Sequence, residues 1–494
     1  TIAAGVSEAE LVERAGGAVA RAARRLLGGT YGRRVVIVAG KGNNGADGLV
    51  AARLLDGWGA RVDVLRLVEG IDPDRLGRSL GRADLAVDAM FGTGFRGPLT
   101  GEAASVATAL DRALLPVLAV DIPSGVDGGT GAVAGPAVAA TVTVCLAALK
   151  PGLLLYPGAG YAGEVEVADI GVRPLDPSIW VADEEDVTGW LPPRPFESHK
   201  WSVGAVYVVG GSEGMIGAPL LSARAALRAG AGLVVAGLPG KAAVRASGGE
   251  VITRSLPATP GGALDESASK EVLDGLERFR SLVVGPGLGA KKSTVAAVRR
   301  LVSEAPVALV LDADGLNALA GDLEPLLARS APAVLTPHAG EYERLAGEPV
   351  GEDRLAAARG LAARSRCTIV LKGSRTVVAT PNGQSAINLT GGPWLATAGT
   401  GDVLSGMVGA LLARGMAPFE AAAAAVYLHG RAADAAGHAG LVAGDLVDAL
   451  PRVQASVARE PGVSPETRGP GVSPETRGPG GVPRERMSGR WPQP

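Results

Sequence analysis

The sequence predicts an α/β protein made of two doubly wound domains followed by a disordered tail. Three observations carry that expectation. Short β-branched apolar runs alternate with helical patterns from residue 7 to about residue 455. Strands alternating with helices argue for parallel sheets covered by helices on both faces, a three-layer sandwich. The prolines of "LPPRPF" at 191–196 interrupt that alternation, and beyond residue 459 it stops.

Composition sets the bounds. At roughly 150 residues per domain, a chain of 494 residues holds two to three domains. Hydrophobic residues make up 47% but aromatics only 3%, so the cores must be built from Ala, Val and Leu. A net charge of −2 gives no reason to expect a nucleic acid or a charged membrane surface as partner. Cys145 and Cys367 lie far apart, which argues against a disulfide scaffold and fits a reducing compartment. No run of about 18 apolar residues and no charged-then-apolar leader is present, so a cytoplasmic protein is expected.

Ser7 and Glu10 stand at capping-box spacing before "LVERAGGAVARAARRLL". Apolar runs at 34–39, 61–68, 84–90, 116–121 and 140–146 read as strands of the first domain, expected over 1–193. Further runs at 205–210, 232–237, 281–285, 307–312, 332–336, 367–372 and 375–379 read as strands of the second, expected over 196–456. Ala-rich helices are expected near 216–229, 291–304, 401–414 and 418–435. In the stretch 459–494, "GVSPETRGP" occurs twice, and Pro, Gly and charge without apolar periodicity do not offset ordering entropy.

The stretch "VVIVAGKGNNGADGLV" contains G-x-G-x-x-G at Gly40, Gly42 and Gly45, between a strand and a helix. That order suits a dinucleotide-binding turn and makes the first domain Rossmann-like. A phosphate turn needs glycines and backbone N–H groups, yet this one also carries Asn43, Asn44 and Asp47. The acidic residue expected about 20 positions on is represented only by Asp63, inside an apolar run. Three further loops follow apolar runs: "AVDAMFGTGFRGPL" with Asp88, "LAVDIPSGVDG" with Asp121, Ser124 and Asp127, and "CLAALKPG" with Lys150. Ligands of open parallel sheets sit beyond the carboxyl ends of the strands, so these loops would converge at one rim. Each residue alone reads equally as a cap or turn former. Together, their carboxylate, amide and hydroxyl oxygens suit a hard cation.

"GKGNNGADG", "DAMFGTGFRGPL" and "DIPSGVDG" resemble the epimerase domain of the NAD(P)H-hydrate repair enzymes. That family interconverts the R and S forms of hydrated NADH and NADPH. The resemblance implies potassium ligands at Asn44, Asp88 and Ser124. It implies nucleotide contacts from Asn43, Asn44, Gly45, Ala46 and Asp47, from Gly92, Thr93, Gly94, Phe95, Arg96, Gly97 and Pro98, and from Asp121. Ala46 stands where the family usually has glycine; if φ > 0 is required there, alanine strains the loop. Asp121 is the candidate acid/base, with Lys150 second.

The second domain is similar to the dehydratase domain of the same family, which is ribokinase-like. The resemblance rests on "VYVVGGSEGMIGAPLLSARAALRAG", "VVGPGLG", "VLDADGLNAL", "LTPHAGEYERL", "VLKGSRTVVATPNG" and "LATAGTGDVLSGMVGALLARG". The glycine-rich start of a helix at Gly399–Gly401 offers free N–H groups and a dipole to a phosphoryl group. Asp402 beside it suits the acceptance of a hydroxyl proton during phosphoryl transfer. The resemblance places His338 at the hydrated nicotinamide and Glu341 near the metal and phosphates. It places Lys372, Gly373, Ser374, Arg375 and Thr376 at the adenine nucleotide, and Ala218 and Gly287 at the substrate. It implies ADP or ATP as co-substrate, a magnesium ion, NADHX and NADPHX as substrates and a homo-oligomer. Asp312 and Asp314 read either as rim residues or as helix caps. Trp201 is expected in a loop, and His429 and His438 receive no role. Two other functions stay open: a nicotinamide-dependent oxidoreductase fused to a ribokinase-like small-molecule kinase, and a non-catalytic first domain.

Overall fold

The computed structural model describes residues 6–172, 177–246 and 249–457, so the tail expected at 459–494 lies outside the described residues. The apolar runs of the first part become β1 (Arg34–Ala39), β2 (Arg61–Arg66), β3 (Leu85–Ala89), β4 (Val117–Val120) and β5 (Val142–Leu146). β6 (Glu164–Ala168) completes a six-stranded sheet in the order 2-1-3-4-5-6. Every pairing in it is parallel.

Alternation of side chains assigns the two faces. Val35 and Ile37 pack with Val19, Ala23, Ala51 and Leu55 of the helices Glu8–Leu27 and Asn43–Gly57. Val36 and Val38 pack on the other face with Leu76, Leu80, Val106 and Leu110 of the helices Pro73–Leu80 and Gly101–Arg112. At the start of the chain, Ser7 Oγ accepts the Glu10 N–H at 3.2 Å. The capping box does not close, because the Glu10 carboxylate pairs with Arg14 instead.

The second sheet has ten strands. They are β7 (Ile179–Trp180), β8 (Ala205–Val209), β9 (Leu233–Pro239), β10 (Ile252–Leu256), β11 (Ser281–Val284), β12 (Ala308–Leu311), β13 (Ala333–Leu335), β14 (Thr368–Leu371), β15 (Val377–Ala379) and β16 (Ser385–Ile387). Their order is 10-9-8-11-12-13-14-15-16-7. The pairs β14–β15 and β15–β16 are antiparallel and the rest are parallel. The helices Gly217–Arg228, Thr400–Ala413, Pro418–Ala436 and Ala443–Val457 cover one face, and Lys292–Glu304, Ala339–Ala346 and Arg354–Ser365 cover the other. Among the described residues, no helix is long and apolar enough to cross a membrane.

Two local features differ from expectation. Trp201 lies in the helical turn Lys200–Val203 rather than a loop, with the Arg278 guanidinium 4.1 Å above its ring. Residues upstream of the proline cluster belong to the second sheet's layers. β7 extends that sheet beside β16, and the helix Glu184–Trp190 places a fully buried Val187 in its core.

This packing generates a prediction about fragments. Burying a Val side chain contributes roughly 1.5–3 kcal/mol. A fragment 177–457 should therefore resist urea better than 194–457, by at least about 1.5 kcal/mol on that basis. Equal unfolding midpoints would show that β7 and the helix behind it add nothing.

Candidate active sites

The order 2-1-3-4-5-6 reverses between β1 and β3, and ligands of open α/β sheets bind at such a switch point. The helix Asn43–Gly57 starts four residues after β1, with its free N–H groups at that point. Close backbone approach explains glycine here: a Cβ on Gly45 would lie 2.0 Å from the Gly40 carbonyl oxygen. Ala46 is helical, its N–H bonded to the Gly42 carbonyl at 3.1 Å, and it is absent from the residues with positive φ. Position 46 thus imposes no demand for glycine, and the strain considered from sequence does not arise.

At the end of β3, Asp88 is fully buried. Its carboxylate accepts the Ser124 N–H at 2.8 Å, the Ser124 hydroxyl at 2.7 Å and the Met90 N–H at 3.2 Å. Burial pushes its carboxyl up to about 6. Ser124 Oγ in turn accepts the Phe91 N–H at 3.1 Å, and Asn44 Nδ2 donates to the Phe91 carbonyl at 2.9 Å. The three oxygen-bearing residues read together from sequence are therefore joined through Phe91.

Asp121 adopts φ +66°, a left-handed conformation that Asp tolerates better than most residues. Lys150 pairs with its Oδ1, which also accepts the Leu146 N–H at 3.2 Å. The other oxygen, Oδ2, faces Gly92, whose Cβ position would lie 3.4 Å from it and 3.2 Å from Asn44 Oδ1. Asp47 is buried, and burial, with Asp121 adding repulsion, pushes its carboxyl up to about 7. Thr93, Gly94, Arg96, Gly97 and Pro98 form an exposed flank. Arg96 anchors that flank to Asp127 at 3.3 Å, and Phe95 packs beside Phe91 with ring centroids 5.3 Å apart. Asp127 also closes its own turn, accepting the Gly129 and Thr130 N–H groups.

In the second domain, neighbouring strands deliver the charges. Asp312 follows β12, Glu341 lies in the helix Ala339–Ala346 after β13, and Lys372 follows β14. Lys372 Nζ lies 2.8 Å from Asp312 Oδ1 and 3.5 Å from Glu341 Oε2. Desolvation works against the Lys372 charge, but Asp312 and Glu341 more than offset it and hold its pKa above the ordinary value. Gly401, in the first turn of the helix Thr400–Ala413, has its Cβ position 3.4 Å from Lys372 Nζ. Asp402 follows, and burial first, then the charge of Asp312, pushes its carboxyl up to about 7.

Neither Asp312 nor Asp314 caps the helix Asp314–Asn317, whose cap position is Ala313. Asp312 is buried in the ion pair, whereas Asp314 accepts the Gly289 N–H at 2.8 Å and holds the "GPGLG" loop. Ala313 between them has φ +48° and ψ −120°, a strained backbone. Gly287 and Ala218 come together, the Gly287 Cβ position lying 3.5 Å from Ala218 Cβ. His338 caps the helix Ala339–Ala346 through Nδ1 and leaves a half-exposed ring with Nε2 3.4 Å from Glu341 Oε1. Gly373 and Ser374 are exposed, Arg375 bonds the Leu389 carbonyl at 2.7 Å, and Thr376 bonds the Gly373 carbonyl at 3.4 Å. Lys372 turns toward the carboxylates, and the Arg375 side chain is partly buried against the Leu389 carbonyl.

His429, given no role from sequence, is buried with Nε2 2.9 Å from the Thr400 carbonyl oxygen. Burial pushes its pKa down to about 4, so the ring is neutral and donates that bond. It steadies the glycine-rich turn from behind. A lone histidine in an Ala-rich helix was its one sequence signal.

The two crevices define a two-domain α/β enzyme with a separate site on each sheet. The sequence model of the NAD(P)H-hydrate dehydratase family matches residues 206–452, and that of the YjeF-related protein N-terminus matches residues 8–74 and 66–152. The bifunctional NAD(P)H-hydrate repair enzyme of Moorella thermoacetica is 42% identical over 486 residues, covering 88% of this chain and 90% of the relative. That of Salinibacter ruber is 38% identical over 502 residues, covering 91% and 93%. A crystal structure of the ADP/ATP-dependent NAD(P)H-hydrate dehydratase from Bacillus subtilis, co-crystallized with ATP and Mg2+, matches with a TM-score of 0.50 and 36% identity. It covers 56% of this chain and 98% of that one. The chain belongs to the bifunctional NAD(P)H-hydrate repair enzyme family. It is an NAD(P)H-hydrate epimerase joined to an NAD(P)H-hydrate dehydratase, and the oxidoreductase–kinase alternative is not favoured.

Asp402 ties this geometry to stability. Its folded pKa of about 7 exceeds the usual carboxylate value of about 3.9. The unfolded chain therefore releases this proton first, and stability falls as pH rises from about 4 to about 7. Asp402→Asn should match the parent near pH 4 and exceed it in urea midpoint at pH 8, without nucleotide. A mutant equally stable or weaker at pH 8 would contradict the raised pKa.

Proposed function

We propose that the second domain dehydrates the S hydrate by phosphoryl transfer from ADP or ATP, followed by elimination of phosphate. The observation that carries this reading is Asp402, a carboxyl pushed up to about 7, set in the first turn of a glycine-started helix beside Lys372. A base with a pKa near the working pH is suited to both taking and releasing a proton. Asp402 accepts the proton of the ring hydroxyl as that oxygen displaces a phosphoryl group from the nucleotide. The Gly399–Gly401 N–H groups and Lys372 face the charge that develops on the phosphoryl oxygens. The phosphate ester then loses phosphate as the ring nitrogen lone pair forms the C=N bond. Loss of the neighbouring carbon's proton restores the dihydropyridine. His338, Ala218 and Gly287 would border the nicotinamide, and Gly373, Ser374, Arg375 and Thr376 the adenine nucleotide.

A magnesium ion fits the donor set. Glu341 and Asp312 are buried carboxylates, and Mg2+ is usually bound by one or two carboxylates together with substrate phosphates. These two residues would hold it, and its chemistry would be neutralisation of phosphoryl charge. Potassium fits the first domain. Asn44, Asp88, Ser124 and the Phe91 carbonyl offer only hard oxygens, and the one carboxylate among them is fully buried. A bound cation there would join the β1, β3 and β4 loops.

For epimerisation we assign Asp121 as acid/base through its crevice-facing Oδ2, with Lys150 holding Oδ1 and the carboxylate's orientation. The hemiaminal carbon inverts through reversible loss of water or ring opening, and neither needs a phosphoryl donor. The backbone N–H groups of Asn43 to Asp47 and the 92–98 loop would receive the dinucleotide. We place this chemistry in the cytoplasm, in a homo-oligomer acting on NADHX and NADPHX, without nucleic-acid or membrane partners. Two buried free thiols, Cys145 and Cys367, are in keeping with that setting.

A reciprocal pair of variants tests the division of labour. Asp402→Asn should lower dehydration of the S hydrate by at least about 10²-fold, in line with general-base contributions. It should leave R–S exchange intact. Asp121→Asn should lower exchange by a similar factor of about 10² and spare dehydration of pure S hydrate. Recovery of reduced-nicotinamide absorbance reads dehydration, and chromatography of the hydrates reads exchange. Parallel loss of both activities in either variant would contradict separate sites.

A further inference from the structure

On the opposite rim of the first sheet lies a cavity of about 300 Å3. β1 and β2 begin there on Arg34 and Arg61, which are register partners on adjacent parallel strands. The helix Pro73–Leu80 covers this end of the sheet; Arg75 and Arg78, three residues apart, share one of its faces, and Arg82 follows just past its end. Five arginines and one acidic residue, Asp63, thus line the cavity. Asp63 is already engaged, accepting from Arg75 at 2.8 Å and from the Ser79 hydroxyl. The nearby Asp84 takes the Arg34 N–H at 2.8 Å and Arg33 at 3.3 Å, and Asp72 stands 3.8 Å from Arg78. Arg34, Arg61 and Arg82 make no side-chain ion pair among the described residues.

The whole chain carries a net charge of −2, so this concentration of positive charge does not reflect overall composition. Guanidinium groups repel one another, and their planar forks match phosphate oxygens. We propose that this cavity binds a diphosphate-bearing small molecule at a site distinct from both catalytic crevices. Three guanidinium charges, those of Arg34, Arg61 and Arg82, are left without an ion pair among the described residues, and a phosphate group carries about −1.5 to −2, so two phosphoryl groups balance them. The volume lies at the small end of small-molecule pockets, enough for a diphosphate with one ring-sized substituent. β1 separates this rim from the switch point by about 17 Å, at roughly 3.3 Å per residue. The ligand therefore occupies its site without displacing substrate.

Titration calorimetry of inorganic pyrophosphate into the full chain at low salt tests this. The parent should bind one equivalent more than the double variant Arg61→Gln/Arg82→Gln. That extra site should weaken as salt rises, and should bind inorganic phosphate at least about tenfold more weakly than pyrophosphate, as fewer charge-assisted bonds form. Unchanged epimerase and dehydratase rates in the variant would confirm that it is folded. If it is not, Arg82→Gln alone, beyond the end of the helix, should weaken the same site several-fold. Identical pyrophosphate stoichiometry and affinity in parent and folded variant would overturn the proposal. Equal affinity for phosphate and pyrophosphate at the extra site would overturn the diphosphate assignment.

Discussion

The ion pair of Lys372 with Asp312, with Glu341 close by, is the interaction on which the dehydratase site depends. Each partner comes from the carboxyl end of a different parallel strand or from the helix that follows it. Bringing β12, β13 and β14 into register therefore assembles the cluster without any long loop. Removing one member leaves buried charge uncompensated, which costs far more than an exposed pair contributes. Asp402 lies next to this cluster but has no ion-pair partner among the described residues. Its proton affinity is consequently set by burial and by the carboxylates around Lys372.

The first domain uses the same architecture for a different end. Its switch point holds one fully buried carboxylate, Asp88, satisfied by three donors, and one crevice-facing carboxylate, Asp121, half-satisfied by Lys150 and the Leu146 N–H. The former fixes loop positions; the latter retains an oxygen for chemistry. Asp88 lies near the end of β3 and Asp121 just past the end of β4, and Gly92 leaves room beside the Asp121 carboxylate. The backbone of one loop lies against that of the next, as at Gly40, where a Cβ would lie 1.9 Å from the Met90 carbonyl oxygen.

Central strands were legible because they are buried on both faces and read as continuous apolar runs, as in Val35–Ala39 and Val206–Val209. The strands that sequence did not reveal lie at sheet edges or are very short. β6 reads "EVEVA" with exposed positions, β10 reads "ITRSL", and β7 and β16 have two and three residues. Site residues at strand ends were legible in the same way, since a polar residue after an apolar run is a strong local signal. Pairings across the sheet were not. That Lys372 turns toward Asp312, sixty positions away, follows from strand order, and no local pattern encodes it. Nor does sequence announce that Ala46 sits in helical backbone or that His429 bonds the Thr400 carbonyl.

Titration of the Asp402 carboxyl tests the account most directly. Carbon-13 NMR of the nucleotide-free protein, assigned through Asp402→Asn, should place its midpoint at about 7. In Asp312→Asn, which removes the strongest repelling charge, the midpoint should move down. An ordinary carboxylate midpoint near about 4 in the parent, unmoved by Asp312→Asn, would mean that the cluster does not tune Asp402 and that the residue is only a helix-start carboxylate.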